Sequence, residues 1–283
     1  MKASFPQRLA VGGAMLLAAA SALAAEDLLD ESAQQEYFTP EQKADPKARG
    51  ALGVIRFDNW GYLQKNVNGS HQWQYRPRIF VPWVFGNGWI ASLRTDVPMN
   101  FTNNRGPAHT GGGYSGGIGN PFFEAILDTA EVAPSLTLRT SLRLVLKSPK
   151  GPPFGVDNQY QIAPGVGLTY RMPQTLNGIT FSPFVRWVRG FNGEFQGVQL
   201  VSTLQVIPAT TFRIDDRWSF ALYPENPILY NHNTSKWFVP LDFLVIHRLN
   251  PSLEFALGGA SKIGSPSAPA YDYVINGRVT LFF

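Results

Sequence analysis

The chain has 283 residues, no cysteine, 16% charged residues and a formal net charge of +4. This excludes a disulfide scaffold, a thiolate metal centre and a cysteine nucleophile, and the 13% aromatic content excludes a disordered chain. The mild charge, with no block of basic residues, speaks against a nucleic-acid partner, and 27 Gly with 22 Pro leave little room for long helices.

Residues 1–24 read as a cleaved secretory signal. Lys2 and Arg8 give a positive start, residues 9–20 are apolar and small, and Ala22-Leu23-Ala24 is an A-x-A-like cleavage site. The apolar run is ~12 residues, against the ~20 that a spanning helix needs. Residues 25–50 are charged, net acidic and without period two, and read as a periplasmic tail.

Residues 51–283 alternate. A first strand is expected near residues 51–63, with weak alternation. Next, Trp73, Tyr75, Pro77, Ile79, Val81, Trp83 and Phe85 form one face, against Gln74, Arg76, Arg78, Phe80, Pro82 and Val84. Leu136, Leu138, Leu142 and Leu144 oppose Thr137, Arg139, Ser141 and Arg143. Residues 198–214 alternate poorly. Trp237, Val239, Leu241, Phe243 and Val245 form another apolar face, as do Leu253, Phe255 and Leu257, and Tyr271, Tyr273, Ile275, Val279, Leu281 and Phe283. Successive strand side chains point to opposite faces, so one face is apolar while the other carries Arg, Gln, Thr and Gly. The strands span roughly 11–15 residues, beyond the ~5–6 of soluble sheets and enough for a tilted membrane crossing.

Turn signals fall into two alternating sets. Short ones lie at 86–88, 133–135, 174–178, 215–216 and 250–252; longer polar ones lie at 66–70, 102–113, 150–158, 192–196, 225–236 and 264–270. Asn87-Gly88 is a strong hairpin signal. The alternation predicts an all-β, transmembrane, up-and-down antiparallel β-barrel of about 12 strands over residues 51–283, with short turns and both termini periplasmic. Trp83, Trp89, Trp218 and Phe283 fall beside short turns, and Trp73, Tyr160, Trp187, Trp237 and Tyr271 near long loops, as two aromatic belts.

The last residues, Arg278-Val279-Thr280-Leu281-Phe282-Phe283, resemble the terminal assembly signal of Gram-negative outer-membrane proteins. That resemblance implies the cell outer membrane as location, with outer-membrane lipid and, through Phe283, the barrel-assembly machinery as partners. Gly117-Ile118-Gly119-Asn120-Pro121, residues 136–147 and residues 161–167 resemble outer-membrane transporters related to the MetA-type proteins of phenol-degradation operons. Members of that group are implied to be passive channels for small, often hydrophobic or aromatic, solutes.

With the apolar face outward, the charges turn inward. The solute path is then expected to run past Arg76, Arg78, Arg94, Asp96, Glu124, Asp128, Arg139, Arg143, Lys147, Arg186, Asp242 and Arg278. Arg171, Arg217 and Lys262 are placed there too, with Glu254 and Asp272. A cationic wall attracts anions, and arginine forks onto carboxylates. A weak anion preference follows, and channels for acidic sugars, which carry lumenal arginine tracks, offer a looser resemblance. The opposing reading is that Arg94 with Asp96, and Arg139 and Arg143 with Glu124 and Asp128 on the preceding strand, pair across strands and close the lumen.

His71, His109, His232 and His247 show no metal-ligand spacing, and no His–Ser pair suits acyl chemistry. No enzyme, cofactor or metal is expected. The main reading is an outer-membrane channel passing small anionic or aromatic solutes by passive diffusion. A closed structural or docking barrel is the alternative, and a lipid-modifying enzyme is third.

Overall fold

A computed structural model describes residues 51–67, 69–103, 113–149, 154, 159–172, 178–192, 199–263 and 271–283. The signal and tail assignments, His109 and parts of the turn and loop assignments lie outside the described residues.

Twelve strands follow one another: β1 (Arg56–Lys65), β2 (His71–Val84), β3 (Ile90–Asp96, resuming as Met99–Thr102), β4 (Ser115–Ile118, resuming as Phe122–Asp128), β5 (Leu136–Val145), β6 (Tyr160–Met172), β7 (Ile179–Phe191), β8 (Ser202–Arg213), β9 (Trp218–Leu222, resuming as Ile228–Asn231), β10 (Lys236–Phe238, resuming as Pro240–Asn250), β11 (Leu253–Lys262) and β12 (Tyr273–Phe282). Each pairs antiparallel with the next. β12 returns to β1 from Tyr273↔Lys65 to Phe282↔Arg56, which closes the barrel and leaves no sheet edge. A short strand, Ala51–Leu52, pairs with the Trp83–Val84 end of β2.

Period two decides what each face meets. Leu257 (66% exposed), Val166 (58%) and Ile275 (50%) stand outward with Trp73, Leu142 and Phe243. So large an exposed apolar band would be unstable in water and suits hydrocarbon. The opposite side chains of these strands are polar and buried, among them Asp58, Arg78, Asp96 and Glu124. Polar inside and apolar outside inverts a soluble protein, because here the solvent on the outer wall is lipid.

One barrel end, the turn end, carries the tight connections and the chain terminus. There Phe85 N–H donates to Trp89 O at 2.8 Å, and Gly88 takes a φ of +84°, a conformation open to glycine. The other end, the loop end, receives the remaining connections. At the turn-end tip 214–218, Asp215 accepts N–H bonds from Arg217 and Trp218, both 2.7 Å. These two bonds hold its carboxyl below the ordinary range.

Four expectations are corrected. The first strand, expected near residues 51–63, runs Arg56–Lys65, because Ala51–Leu52 pairs separately with the end of β2. The stretch 225–236 is not one outer loop: Ile228–Asn231 and Lys236–Phe238 are paired strand segments joined by a short turn. Arg217 is exposed at the turn end rather than inward. Tyr271 is buried against Phe238, ring centroids 5.0 Å apart, and so takes no part in an outer aromatic belt.

Candidate functional site

The barrel's centre is two rows of charge set by strand register. In the first, Arg78 on β2 faces Asp58 on β1 and Asp96 on β3. Arg78 Nε lies 3.0 Å from Asp96 Oδ2 and Nη1 lies 3.8 Å from Asp58 Oδ2. In the second, Glu124 on β4 faces Arg94 on β3 and Arg143 on β5. Arg143 Nη2 is 2.7 Å from Glu124 Oε2, and Arg94 Nη1 is 3.8 Å from it. Arg94 also forks onto Asp96 through Nε and Nη2, at 2.8 and 2.9 Å.

Arg186 on β7 joins the second row by pairing with Glu124, although two strands separate them. The inner face of β6 permits the reach because Gly165 stands opposite Arg186. A Cβ at Gly165 would meet the Phe184 ring at 2.3 Å, and that ring also carries the Arg186 guanidinium, 5.0 Å from its centroid.

These groups are shut off from solvent: Asp58 and Asp96 are 0% exposed, Glu124 1% and Arg78 3%. Buried charge is tolerated when it is paired and hydrogen-bonded. Thr280 Oγ1 donates to Asp58 and Ser141 Oγ to Glu124, both at 2.8 Å. Arg78 and Arg278 both lie over the buried Trp60 ring, at 5.4 and 5.1 Å.

Glu225 enters this layer from across the lumen. On β8, Val206 pairs with Ile228 and Thr210 with Leu222. Three β8 residues, 207–209, therefore oppose five β9 residues, 223–227, and the two extra residues fold inward as a bulge. Tyr223 there has a φ of +52°. Asp242 on β10 clasps the bulge: its Oδ2 accepts the N–H of Glu225 (3.0 Å) and of Asn226 (2.7 Å), and its Oδ1 accepts Asn226 Nδ2 (2.9 Å). The bulge aims Glu225 at β2, where Arg78 Nη1 and Nη2 donate to its two oxygens at 2.7 and 2.9 Å. Arg76 Nη1 stands 3.8 Å away, and Tyr62 OH donates to Oε2 at 3.4 Å.

Above this layer a cavity of about 350 Å³ lies within the loop-end half. Arg76, Arg94, Arg143 and Arg186 reach its floor, with Glu225 as the acidic residue on its lining. Gln64, Gln72, Gln74 and Gln205 line its wall, and Tyr62, Phe122, Phe238 and Tyr271 supply aromatic surface. The Arg143 guanidinium sits 3.9 Å from the Phe122 centroid, which fixes its plane and leaves its outer edge toward the cavity. The lining therefore joins cationic forks to flat apolar surface, a pairing suited to small organic anions.

The structure thus gathers Arg76, Arg78, Arg94, Asp96, Glu124, Arg143 and Arg186 into one assembly. The other expected lumen residues stand apart. Arg139 pairs with Asp128 at 2.6 Å nearer the turn end, and Arg278 pairs with Glu254. Lys147 lies past the end of β5, 4.9 Å from the Tyr160 ring centroid. Lys262 pairs with Asp272 at 2.5 Å on the loop-end rim and holds that carboxyl below the ordinary range. Asp242 is 0% exposed and supports the bulge rather than the cavity lining. His247 packs on Trp218, centroids 4.2 Å apart.

Sequence reading missed Asp58, Tyr62 and Glu225. Asp58 and Tyr62 share an inward period with Trp60, but two large aromatics on that face blur the polar signal. Glu225 lies in Pro224-Glu225-Asn226-Pro227, a composition that reads as loop.

No protein-family profile matches the chain, and no curated protein is similar to it in sequence. Solved structures are similar in fold. An outer-membrane channel of Pseudomonas putida F1 superposes with a TM-score of 0.61 at 9% identity, over 90% of this chain and 100% of that one. The beta domain of the Bordetella autotransporter BrkA gives 0.49 at 13% identity, over 82% and 99%, and Pseudomonas putida OprB gives 0.38 at 8% identity, over 88% and 98%. The fold is that of an outer-membrane β-barrel of twelve strands.

Proposed function

We propose that the chain is a passive outer-membrane channel for small anionic solutes, aromatic carboxylates included. One observation carries this reading: the cavity within the loop-end half is floored by four arginine side chains and lined by one carboxylate. With Arg78 and the paired Asp58, Asp96 and Glu124 behind the lining, five arginines meet four carboxylates, and in a low-dielectric barrel the remaining positive charge favours anions over cations. Aromatic surface beside the arginines favours a flat ring over a bare inorganic ion. The resemblance of residues 117–121, 136–147 and 161–167 to transporters of the MetA type agrees with this solute class. In this reading the loop end faces the exterior and the turn end the periplasm. Lipid contacts the apolar wall, and Phe283, 72% exposed, is presented to the assembly machinery. No catalytic step enters.

A second reading, a closed structural barrel, draws on the complete burial of the Asp58, Asp96 and Glu124 layer. Planar-bilayer recording separates the two. The channel reading expects unitary conductance and, in a potassium chloride gradient, a reversal potential displaced toward that of chloride. Arg76→Gln combined with Arg143→Gln is expected to bring that potential back toward zero. An electrically silent protein, purified folded, favours the closed barrel.

A further inference from the structure

The two glutamates of the central layer are not equivalent. Removing Glu124 would strip Arg143 and Arg186 of their paired carboxylate. Removing Glu225 would leave Arg78 between Asp58 and Asp96, still compensated by its cross-strand partners. The group that loses its counter-charge is Arg76, whose other polar contact is Gln74, together with the Arg78 edge that forks onto Glu225. Both arginines would then present free donors beside the Tyr62 ring, which lies 4.6 Å from the Arg76 guanidinium. Glu225 is itself a carboxylate held at the foot of the cavity, on a two-residue bulge tied down by Asp242.

From this geometry we infer that Arg76 and Arg78 form a carboxylate-binding site that Glu225 occupies as a tethered, displaceable counter-ion. The inference rests on the solute class proposed above. A carboxylate descending from the cavity forks onto the same guanidinium edges, and the bulge carrying Glu225 withdraws. The two guanidinium groups stay paired through the exchange, because one carboxylate arrives as another leaves, and the withdrawn Glu225 carboxylate turns out into the cavity. The site selects an organic carboxylate over chloride, since a two-oxygen acceptor reproduces the bidentate geometry that Glu225 makes and a spherical ion does not. It selects against neutral solutes, which leave Glu225 in place.

Benzoate is the probe, with benzyl alcohol as its uncharged counterpart, titrated calorimetrically into the detergent-solubilised full-length barrel. Only the fraction with Glu225 withdrawn binds in the wild type, so apparent affinity is scaled down by that fraction. Glu225→Gln is expected to raise benzoate affinity about tenfold or more, with no gain for benzyl alcohol. Asp242→Ala, which loosens the clasp and keeps the carboxylate, is expected to shift affinity in the same direction by less. Arg76→Gln placed on Glu225→Gln is expected to abolish the gain. Unchanged or weaker benzoate binding by both Glu225→Gln and Asp242→Ala overturns the inference, as does an equal gain for benzyl alcohol. Bilayer recording keeps the two proposals apart. Tighter benzoate binding in an electrically silent protein upholds the site and removes the channel. Anion conductance with benzoate affinity indifferent to residue 225 removes the site and leaves the channel.

Discussion

Glu124 and Glu225 each sit among arginines in the same buried layer, yet they arrive by different routes. Glu124 stands on a regular strand, and its arginine neighbours Arg94 and Arg143 are its direct cross-strand partners. Its position can change only if the ladder changes. Glu225 stands on a bulge, bonded to Asp242 and reaching Arg78 across the barrel interior. It is held by a few side-chain contacts and no strand register. The first is a structural counter-charge; the second is built to be exchanged. A bulge lets a barrel place a carboxylate at mid-lumen without committing the wall to it.

The comparison can be tested by stability first. Glu124→Gln leaves Arg143 and Arg186 as buried cations without a carboxylate, and a broken buried pair of this kind costs about 3–5 kcal/mol. Urea unfolding in detergent or lipid vesicles is expected to show a loss of that size. A loss no larger than that of Glu225→Gln would erase the distinction. Asp242→Ala orphans the buried N–H groups of Glu225 and Asn226 and is expected to cost about 1–3 kcal/mol, read by the same unfolding curves. Larger conductance fluctuation is expected in the same variant, and a quiet trace would mean that the bulge is held by something other than Asp242.

Glu225→Gln is expected to cost less than either, about 1 kcal/mol as a neutral hydrogen-bonding replacement, while shifting the reversal potential further toward chloride. The smallest effect is expected at the turn end. Asp215 is fully exposed and its carboxyl is held below the ordinary range by two backbone N–H bonds. A lowered folded pKa means that its contribution is present above the unfolded value and lost as pH falls through the folded one. Asp215→Ala is expected to flatten that acid-side decline slightly and to leave conductance at neutral pH unchanged. Thermal unfolding followed between neutral and acidic pH checks both the sign and the small size.

Much of this was readable from residue order. Period two along 73–85, 136–147 and 271–283 assigned lipid and lumen faces, because successive strand side chains must diverge. The even alternation of turn and loop signals pointed to about twelve strands and set Arg139 and Arg143 on one hairpin with Glu124 and Asp128, while the register decided that Arg139 meets Asp128 and Arg143 meets Glu124. Arg94–Asp96, expected across strands, pairs within β3 instead, since residues two apart on one strand share a face. The first strand was expected near residues 51–63 with weak alternation, and the reason is that Trp60 and Tyr62 face inward while Gly61 and Asn59 face lipid, so its polarity contrast is low on both sides.

Sequence alone determined the solvent of each face, since that depends on neighbours one and two residues away. Tertiary structure decided which charges meet across the interior. Arg186 reaches Glu124 past two intervening strands, over Gly165 on the nearer one, and Glu225 reaches Arg78 from the opposite wall. Both contacts depend on how many residues each neighbouring strand places between its paired positions. That count is a property of the closed sheet, and no single strand carries it.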